Sequence, residues 1–290
     1  MDAISVTARR GDVVEAVHRV HAVAVRDGEI LATAGNGELV CYLRSSAKPI
    51  QAHQLVRAYA DLDDAEIAIA CASHRAEPAQ IEAARRLLAR AGATEDDLEC
   101  GEQECRPPGR IHHNCSGKHA GMLAACRANG WPLAGYTQPE HPLQQAIARD
   151  VEEASGVSDH ATAIDGCGVP CFAMPLPAMA RLLTRAEARV ARAMRARPEL
   201  VGGTGAPDTE LMRALRGWIA KGGAEGLFCA AAPDGTGVAL KIEDGSFRGM
   251  KPALHRFFLD ALGVELHGFD RVALRNSRGE PVGELTIGGP

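Results

Sequence analysis

The segment Arg44-Ser45-Ser46-Ala47-Lys48-Pro49 lies at a change of sequence periodicity and decides the fold of this chain. Before it, short apolar runs are separated by turn residues, whereas after it apolar residues recur at helical spacing as far as Ala60. A serine at a helix start, followed by a proline within the first turn, is typical of a strand–turn–helix junction. We therefore predict that the chain enters its first helix here.

The residues before this junction are predicted to form strands. Residues 22–25 and 29–32 are apolar runs that flank Arg26-Asp27-Gly28, and an Asp-Gly pair between two such runs indicates a β-hairpin. Residues 37–42 are predicted to form a third strand, and residues 66–71 a short buried strand after the helix.

The rest of the chain reads as helices followed by further strands. Apolar periodicity predicts helices at 78–92, 116–129, 142–155, 175–196, 207–220 and 251–262, and strands at 226–232, 237–242 and 280–288. The fold class is therefore α/β, an α+β sandwich in which N- and C-terminal strands form one antiparallel sheet with flanking helices. We expect one domain, 1–290, with a sheet lobe (1–75 and 225–290), a mainly helical lobe (76–224) and a site between them.

Composition excludes several classes of protein. The chain has 290 residues, 46% of them hydrophobic, and a net charge of −5, so a basic nucleic-acid-binding face is not expected. No apolar run approaches about 18 residues, so no membrane-spanning helix is expected. The first residues lack the pattern of a signal peptide, which predicts a cytoplasmic protein.

Ser45 and Lys48 fit the pattern Ser-x-x-Lys and would share one face of a helix. A serine hydroxyl needs an adjacent base to become a nucleophile, and a lysine serves if burial or a nearby cation such as Arg44 lowers its pKa. The matching chemistry is acyl transfer on an amide. The alternative is a serine that caps the helix and a lysine in solvent.

The lysines are few, which makes each of them worth considering for chemistry. Lysine can lose its proton when desolvated, whereas arginine does not. Ser73 follows the predicted strand at 66–71, and Lys241 lies late in the predicted strand at 237–242, so a second serine and a second lysine have settings similar to those of Ser45 and Lys48. The alternatives are a turn serine and a surface lysine. The five lysines are Lys48, Lys118, Lys221, Lys241 and Lys251.

Two loops are rich in potential metal ligands. Residues 112–119 contain Cys115, Lys118 and His119, and residues 165–171 contain Cys167. Neither loop has the Cys-x-x-Cys pairs of a structural zinc site. A metal site, tight turns with buried thiols, and a Cys115 or Cys167 nucleophile with His119 as its base all remain open. The number of cysteines, nine, is odd, and the sequence shows no export signal. Both observations argue against a disulfide framework.

A third, glycine-rich loop precedes the predicted helix at 207–220. Residues 201–209 could hold a phosphate at the helix N-terminus, although they lack the Gly-Lys-[Ser/Thr] ending of a P-loop. A loop that lines a substrate site, or a plain helix-entry turn, explains them better.

Taken in order, these motifs resemble those of the rhizobial-type (class 3) L-asparaginases, also called the asparaginase II family. The resemblance covers nearly the whole chain. It rests on five motifs, which are Arg44-Ser45-Ser46-Ala47-Lys48-Pro49, Cys71-Ala72-Ser73-His74, His113-Asn114-Cys115-Ser116-Gly117-Lys118-His119, Asp165-Gly166-Cys167-Gly168-Val169-Pro170 and Gly202-Gly203-Thr204-Gly205.

The resemblance implies a fold similar to serine β-lactamases, penicillin-binding proteins and glutaminases, hydrolysis of L-asparagine to L-aspartate and ammonia, and a homodimer. It implies two Ser-Lys tandems at the site, with Ser45 as the nucleophile. It also implies a zinc ion beside the pocket and residues that contact the substrate. The implied residues are Ser45 with Lys48, Ser73 with Lys241, the zinc ligands Cys115, Lys118 and Cys167, and the substrate contacts Arg44, His119, Asp165, Gly203 and Thr204.

The sequence departs from the wider β-lactamase pattern. It has no Ser-Asp-Asn motif, and Ile242-Glu243 follows Lys241 in place of Thr-Gly. These departures argue against binding a β-lactam carboxylate in the usual way. The alternatives are a glutaminase or β-lactamase-like hydrolase, or a non-catalytic protein that binds zinc or an amino acid.

Overall fold

The computed structural model describes residues 1–104 and 106–288. Cys105, one of the nine cysteines counted above, lies outside the described residues. The strands are β1 (Ile4–Arg10), β2 (Val13–Arg26), β3 (Glu29–Ala34), β4 (Val40–Tyr42), β5 (Thr162–Ile164), β6 (Pro170–Pro175), β7 (Ile219–Gly223), β8 (Leu227–Ala231), β9 (Gly237–Ile242), β10 (Arg271–Arg275) and β11 (Pro281–Ile287).

The helices lie between these strands, with most of them in the middle of the chain. The α-helices are α1 (Lys48–Gln51), α2 (His53–Ala58), α3 (Asp64–Ala70), α4 (Pro78–Ala91), α5 (Ser116–Asn129), α6 (Pro142–Ser155), α7 (Leu176–Thr184), α8 (Ala188–Ala196), α9 (Pro198–Gly202), α10 (Pro207–Ala214) and α11 (Met250–Leu262). Short 3₁₀ helices lie at Arg44–Ala47, Glu95–Asp97, Arg110–His112 and Phe247–Gly249.

An eight-stranded antiparallel sheet forms the centre of the molecule. Its strand order is β10-β11-β1-β2-β9-β8-β7, and β3 also pairs with β2. The N-terminal strands β1 and β2 therefore lie between two groups of C-terminal strands in one sheet, which confirms the predicted fold class. β4, β6 and β5 form a separate small sheet.

The long strand β2 connects the N-terminal strands of the main sheet to the C-terminal strand β9. Its first half alternates between exposed and partly buried residues, and residues 20–25 are continuously buried because strands and helices cover them. It pairs with β1, β3 and β9, and the turn to β3 uses Asp27 and Gly28, both at positive φ. This confirms the hairpin predicted from the Asp-Gly pair.

Helix α7 packs closely on β9. A Cβ atom on Gly237 would lie 2.1 Å from the carbonyl oxygen of Ala180, so only glycine lets the helix approach the strand at this point. Helix α11 packs on β1, β10 and β11.

Helix α5 occupies the centre of the helical part, and residues 116–126 are all buried. A Cβ atom on Gly117 would lie 2.4 Å from the carbonyl oxygen of Ile69, at the end of α3. This close approach brings the start of α5, with Cys115 and Lys118, beside the segment that follows α3 and carries Ser73.

Some predicted elements were wrong. Residues 66–71 form most of α3 and not a strand, because Asp63 and Glu66 make a capping box that begins a helix. A short, fully apolar run does not by itself distinguish a buried strand from a buried helix. The predicted helix at 175–196 is divided into α7 and α8.

The predicted helix at 207–220 ends at Ala214, and the chain then enters β7. This strand belongs to the main sheet, although its residues fall within the predicted helical lobe. The division into two lobes otherwise stays a prediction. No helix in the described part of the chain is long and apolar enough to cross a membrane.

Candidate active site

Ser45 lies in the 3₁₀ turn that leads into α1, at the junction of two cavities. One cavity has a volume of about 500 Å³ and the other about 330 Å³, and Ser45, Asn114 and Ala224 line both. The preceding residue, Arg44, has a φ of +47°, a conformation that is costly for residues with a side chain. The Ser45 side chain makes no helix-capping hydrogen bond, so the capping alternative fails.

Lys48 is completely buried, which excludes the solvated alternative. Its ammonium donates to the carbonyl oxygen of Ala72 at 2.5 Å, to the hydroxyl of Ser73 at 3.0 Å and to the sulfur of Cys115 at 3.3 Å. The hydroxyl bonded to Lys48 is thus that of Ser73, not that of Ser45.

The surroundings of Lys48 favour its neutral form. Burial lowers the pKa of the Lys48 amine, because a charged group is poorly solvated in the interior. Cys115 opposes this shift, whereas the cations of Lys118 and Lys221 add to it.

A second buried lysine, Lys221, lines the 330 Å³ cavity together with Ser45 and Ser73. It lies on β7, is 1% exposed, and pairs with Asp208 at 3.1 Å. Asp208 also accepts the backbone N–H of Gly222 at 2.9 Å, which fixes the carboxylate at the cavity wall.

The predicted pairing of Lys241 with Ser73 needs correction. Lys241 lies on β9, and β8 separates β9 from β7. Two strand spacings amount to about 10 Å, which separates Lys241 from the strand at the site. Its ammonium donates to the carbonyl oxygen of Ile242 and lines a different cavity, to which neither Ser45 nor Ser73 contributes.

Sequence reasoning missed Lys221 because the predicted helix extended to Ala220. The signal that could have found it is the pair of glycines that follows it. Gly222 and Gly223 disfavour a helix and allow close approach, and a Cβ atom on Gly223 would lie 3.0 Å from the carbonyl oxygen of Leu43.

Cys115 and Cys167 line the 500 Å³ cavity, and Lys118 lies against Cys167. Lys118 donates to the sulfur of Cys167 at 2.9 Å, and all three side chains are buried. The hydrogen bond from Cys167 lowers the pKa of Cys115 well below its ordinary value, and the same bond raises the pKa of Cys167. The titrations of the two sulfurs are therefore coupled, and of the two Cys115 loses its proton more readily.

The donor set fits a soft divalent cation, although the described residues contain no group of three or more His, Cys, Asp or Glu side chains able to hold a metal ion. Two sulfurs and an amine nitrogen converge, and sulfur with nitrogen is the ligand chemistry that zinc prefers. Close by, the buried Nε2 atom of His119 has no hydrogen-bond partner in the part of the chain that the structure describes.

His119 does not line either cavity, contrary to the substrate contact expected from the resemblance. It is 0% exposed, and its Nδ1 atom bonds the Tyr136 hydroxyl at 2.7 Å. Burial lowers the pKa of His119 to about 4, and the neighbouring Cys167 opposes the shift. His119 therefore lies behind the cysteines, because the inward-facing side of α5 carries it into the core.

Arg44 and Asp165 line the 500 Å³ cavity together, where a substrate contact was expected. The Arg44 Nε atom donates to Asp165 at 2.7 Å. Burial raises the pKa of Asp165, but Lys118 and Arg44 outweigh it and the net shift is downward. Asp165 is therefore an anion at the cavity wall.

The glycine-rich loop contributes Gly202 to the 330 Å³ cavity, whereas Gly203 and Thr204 lie just beyond its lining. The Thr204 carbonyl accepts a hydrogen bond from Arg75 at 2.6 Å, and its N–H donates to Glu77. Gly203 has a φ of +87° and packs against the Arg75 side chain, so the loop is held against Arg75.

The sequence matches the L-asparaginase II family over residues 6–287, and the chain belongs to that family. Among curated proteins, none matches the chain significantly.

Three solved structures are similar in part. They are Mglu in its native form (13% identity, 86% of this chain and 65% of that one, TM-score 0.46), a β-lactamase from Mycobacterium bovis (16%, 83% and 94%, 0.36) and SurE (14%, 89% and 74%, 0.39). The chain spans 65% of the length of the first. With TM-scores below 0.5, these likenesses carry no argument.

His74 follows Ser73 in the chain and is fully buried. Its protonation therefore provides a test of the electrostatics of the site. It accepts from the Ala76 N–H, so its Nε2 atom carries the proton and donates to Ser116, whose hydroxyl donates to the Ile111 carbonyl. Burial lowers the pKa of His74 to about 3. Protonation would place two donors against each other at Nδ1.

We predict that His74 makes the protein less stable in acid. The unfolded chain gains a proton near pH 6.5 and the folded chain only near pH 3, so stability falls across this window by up to about 1.4 kcal/mol per pH unit. His74→Asn should reduce the slope of unfolding free energy between pH 6 and pH 4, measured by denaturant titration. The exposed control His267→Asn should keep the wild-type slope. An unchanged slope in His74→Asn would contradict the assignment.

Proposed function

We propose that this protein hydrolyses L-asparagine to L-aspartate and ammonia through an acyl-enzyme on Ser45. The observation that carries the proposal is the position of Ser45, which lies at the meeting point of two cavities, three residues before a fully buried lysine. Family membership supports an amide substrate. A serine flanked by a desolvated amine matches the requirement of nucleophilic catalysis on an amide.

In the proposed reaction, the Ser45 hydroxyl attacks the side-chain amide carbon of asparagine. The hydroxyl proton passes to the Ser73–Lys48 pair, which is joined by a 3.0 Å hydrogen bond and is already poised for proton transfer. The same pair returns the proton to the leaving nitrogen, and ammonia departs. Water then attacks the acyl-enzyme, releases L-aspartate and restores the Ser45 hydroxyl.

The developing oxyanion needs donors near Ser45. The backbone N–H groups of Ser45 and Ala224 donate no hydrogen bond to another backbone group among the described residues, and both residues line the two cavities. Two free backbone donors beside the nucleophile would stabilise the negative charge that forms in the transition state.

We propose Lys221 for the second tandem, in place of Lys241. Its ammonium is held by Asp208 and by the carbonyl oxygen of Gly222, and it lines the cavity that both serines line. A fixed cation in this cavity would stabilise negative charge on the substrate. It also lowers the pKa of Lys48 from a distance.

We also propose that Cys115, Lys118 and Cys167 hold a zinc ion. A zinc ion held by these three residues would supply positive charge beside the pocket and would brace the two loops that carry them. Even without a metal ion, the hydrogen bond from Lys118 to Cys167 connects the start of α5 to the loop that carries Asp165. A homodimer and a cytoplasmic location remain predictions, and no particular observation favours the glutaminase, β-lactamase-like or non-catalytic alternatives.

Ser45→Ala should lower kcat for L-asparagine by at least about a thousandfold, because the nucleophile cannot be replaced by its neighbours. Ammonia release measures this directly. Ser158→Ala, at an exposed position, serves as the control and should keep wild-type turnover. Turnover retained in Ser45→Ala would refute Ser45 as the nucleophile.

Lys221→Met and Lys241→Met distinguish the two assignments of the second tandem. We expect Lys221→Met to lower kcat/KM for L-asparagine about a hundredfold and Lys241→Met to stay within about twofold of wild type. Both variants replace a lysine on a sheet strand with an apolar residue of similar length. The reverse order of effects would restore the assignment made from the sequence.

The purified protein should contain about one zinc ion per chain, measured by elemental analysis. Cys115→Ser should lose the metal, and a chelator should lower the thermal midpoint of the wild type but not of this variant. Cys41→Ser, which changes a cysteine outside the cluster, should keep the metal. A fully folded wild-type protein without metal would contradict the proposal.

A further inference from the structure

The two cavities that meet at Ser45 carry opposite charge. The 500 Å³ cavity is lined by the carboxylates of Glu102, Glu104 and Asp165 and by the guanidinium of Arg44. The 330 Å³ cavity is lined by the cations Arg75, Arg106 and Lys221 and by the carboxylates of Asp208 and Glu225.

Internal ion pairs do not cancel this asymmetry. Arg44 pairs with Asp165, and Lys221 pairs with Asp208. Glu102 and Glu104 on one side, and Arg75 and Arg106 on the other, form no salt bridge with any described residue. Glu225, an exposed carboxylate of the 330 Å³ cavity, lies 3.8 Å from Arg44. The 500 Å³ cavity is therefore left with two unpaired carboxylates and the 330 Å³ cavity with two unpaired guanidinium groups, and Ser45 lies between the two cavities.

A free amino acid has the complementary charge distribution. Its α-ammonium and α-carboxylate are attached to the same carbon, two bonds from the side-chain amide carbon of asparagine. With that amide carbon at Ser45, one charged group can enter each cavity. The carboxylate-rich cavity suits the ammonium, and the cation-rich cavity suits the carboxylate.

Within the cation-rich cavity, Arg106 is the best-placed group. Lys221 is already committed to Asp208, and Arg75 is exposed and donates to the Thr204 carbonyl. Arg106 is partly buried, and its Nε atom is buried without a hydrogen-bond partner among the described residues. A desolvated guanidinium nitrogen that lacks an acceptor gains most from a bound carboxylate.

We propose that Arg106 forms the subsite for the α-carboxylate of the substrate, with the α-ammonium held in the opposite cavity. This inference rests on the proposed function for the identity of the substrate. It restricts the substrate class to free amino acids, because an asparagine inside a peptide lacks the α-carboxylate that Arg106 would bind.

The experiment compares L-asparagine with L-asparagine α-amide, which keeps the ammonium and the reacting amide but lacks the carboxylate. The wild type should prefer L-asparagine. Arg106→Gln should lower kcat/KM for L-asparagine at least about tenfold, mainly through KM, and should leave the α-amide within about twofold, so that the preference disappears. Arg106→Lys, which keeps the charge, should recover part of the preference.

Arg216→Gln is the control, because it removes an exposed guanidinium that lines neither cavity and should keep the preference for L-asparagine. An equal loss on both substrates in Arg106→Gln would indicate a structural role and overturn the inference. So would an unchanged preference.

A binding measurement separates this inference from the proposed function. L-Aspartate and its α-amide differ only in the α-carboxylate, so calorimetric titration tests the subsite without turnover. Stronger binding of L-aspartate to the wild type, lost in Arg106→Gln, supports the subsite even if asparagine is not hydrolysed. If asparagine is hydrolysed but both ligands bind equally well to the wild type, the subsite is refuted and the proposed function stands.

Discussion

The burial of the Lys48 ammonium is the constraint on which the arrangement of the site depends. An amine in the interior must find acceptors for its N–H groups, and Lys48 on α1 finds them in two segments, which are the residues after α3 and the residue before α5. The close packing of Gly117 on Ile69 holds these two segments together. Displacing either segment would leave buried N–H groups of Lys48 without an acceptor, at a cost of about 1–3 kcal/mol for each unsatisfied group.

Three of the five lysines are fully or nearly fully buried, and each has different hydrogen-bond partners. These partners determine how readily each amine can accept a proton. Lys118 lies against the sulfur of Cys167 and has a raised pKa, because the interactions with Cys167 and Cys115 outweigh burial. Lys221 has the carboxylate of Asp208. Lys48 has two oxygens that are neutral and a sulfur, and its pKa is lowered. Among the three, Lys48 is therefore the amine best suited to accept a proton, and the two neighbouring cations help to keep it so.

Local signals in the sequence predicted much of the fold and only part of the site. The Asp-Gly hairpin and the strand–turn–helix junction at Ser45 follow from residues adjacent in the chain, and both were predicted. The position of Lys221 depends on which strand lies at the edge of the sheet, which is a long-range property of strand order. Spacing alone could not show that Lys241 lies two strands away, nor that His119 points into the core.

The loop with Cys167 and the turn with Ser45 are connected by a hydrogen bond between Arg44 and Asp165. Arg44 adopts a positive φ that costs of order 1 kcal/mol, and its hydrogen bond to Asp165 opposes that cost at a partly buried position. Asp165 lies two residues before Cys167, and the N–H of Gly166 bonds the same carboxylate oxygen as Arg44. Whatever fixes Cys167, whether a thiol pair or a metal ion, therefore also fixes the backbone immediately before the nucleophile. The cysteines are thus connected to the position of Ser45 through Asp165 and Arg44, without contact between their side chains and that serine.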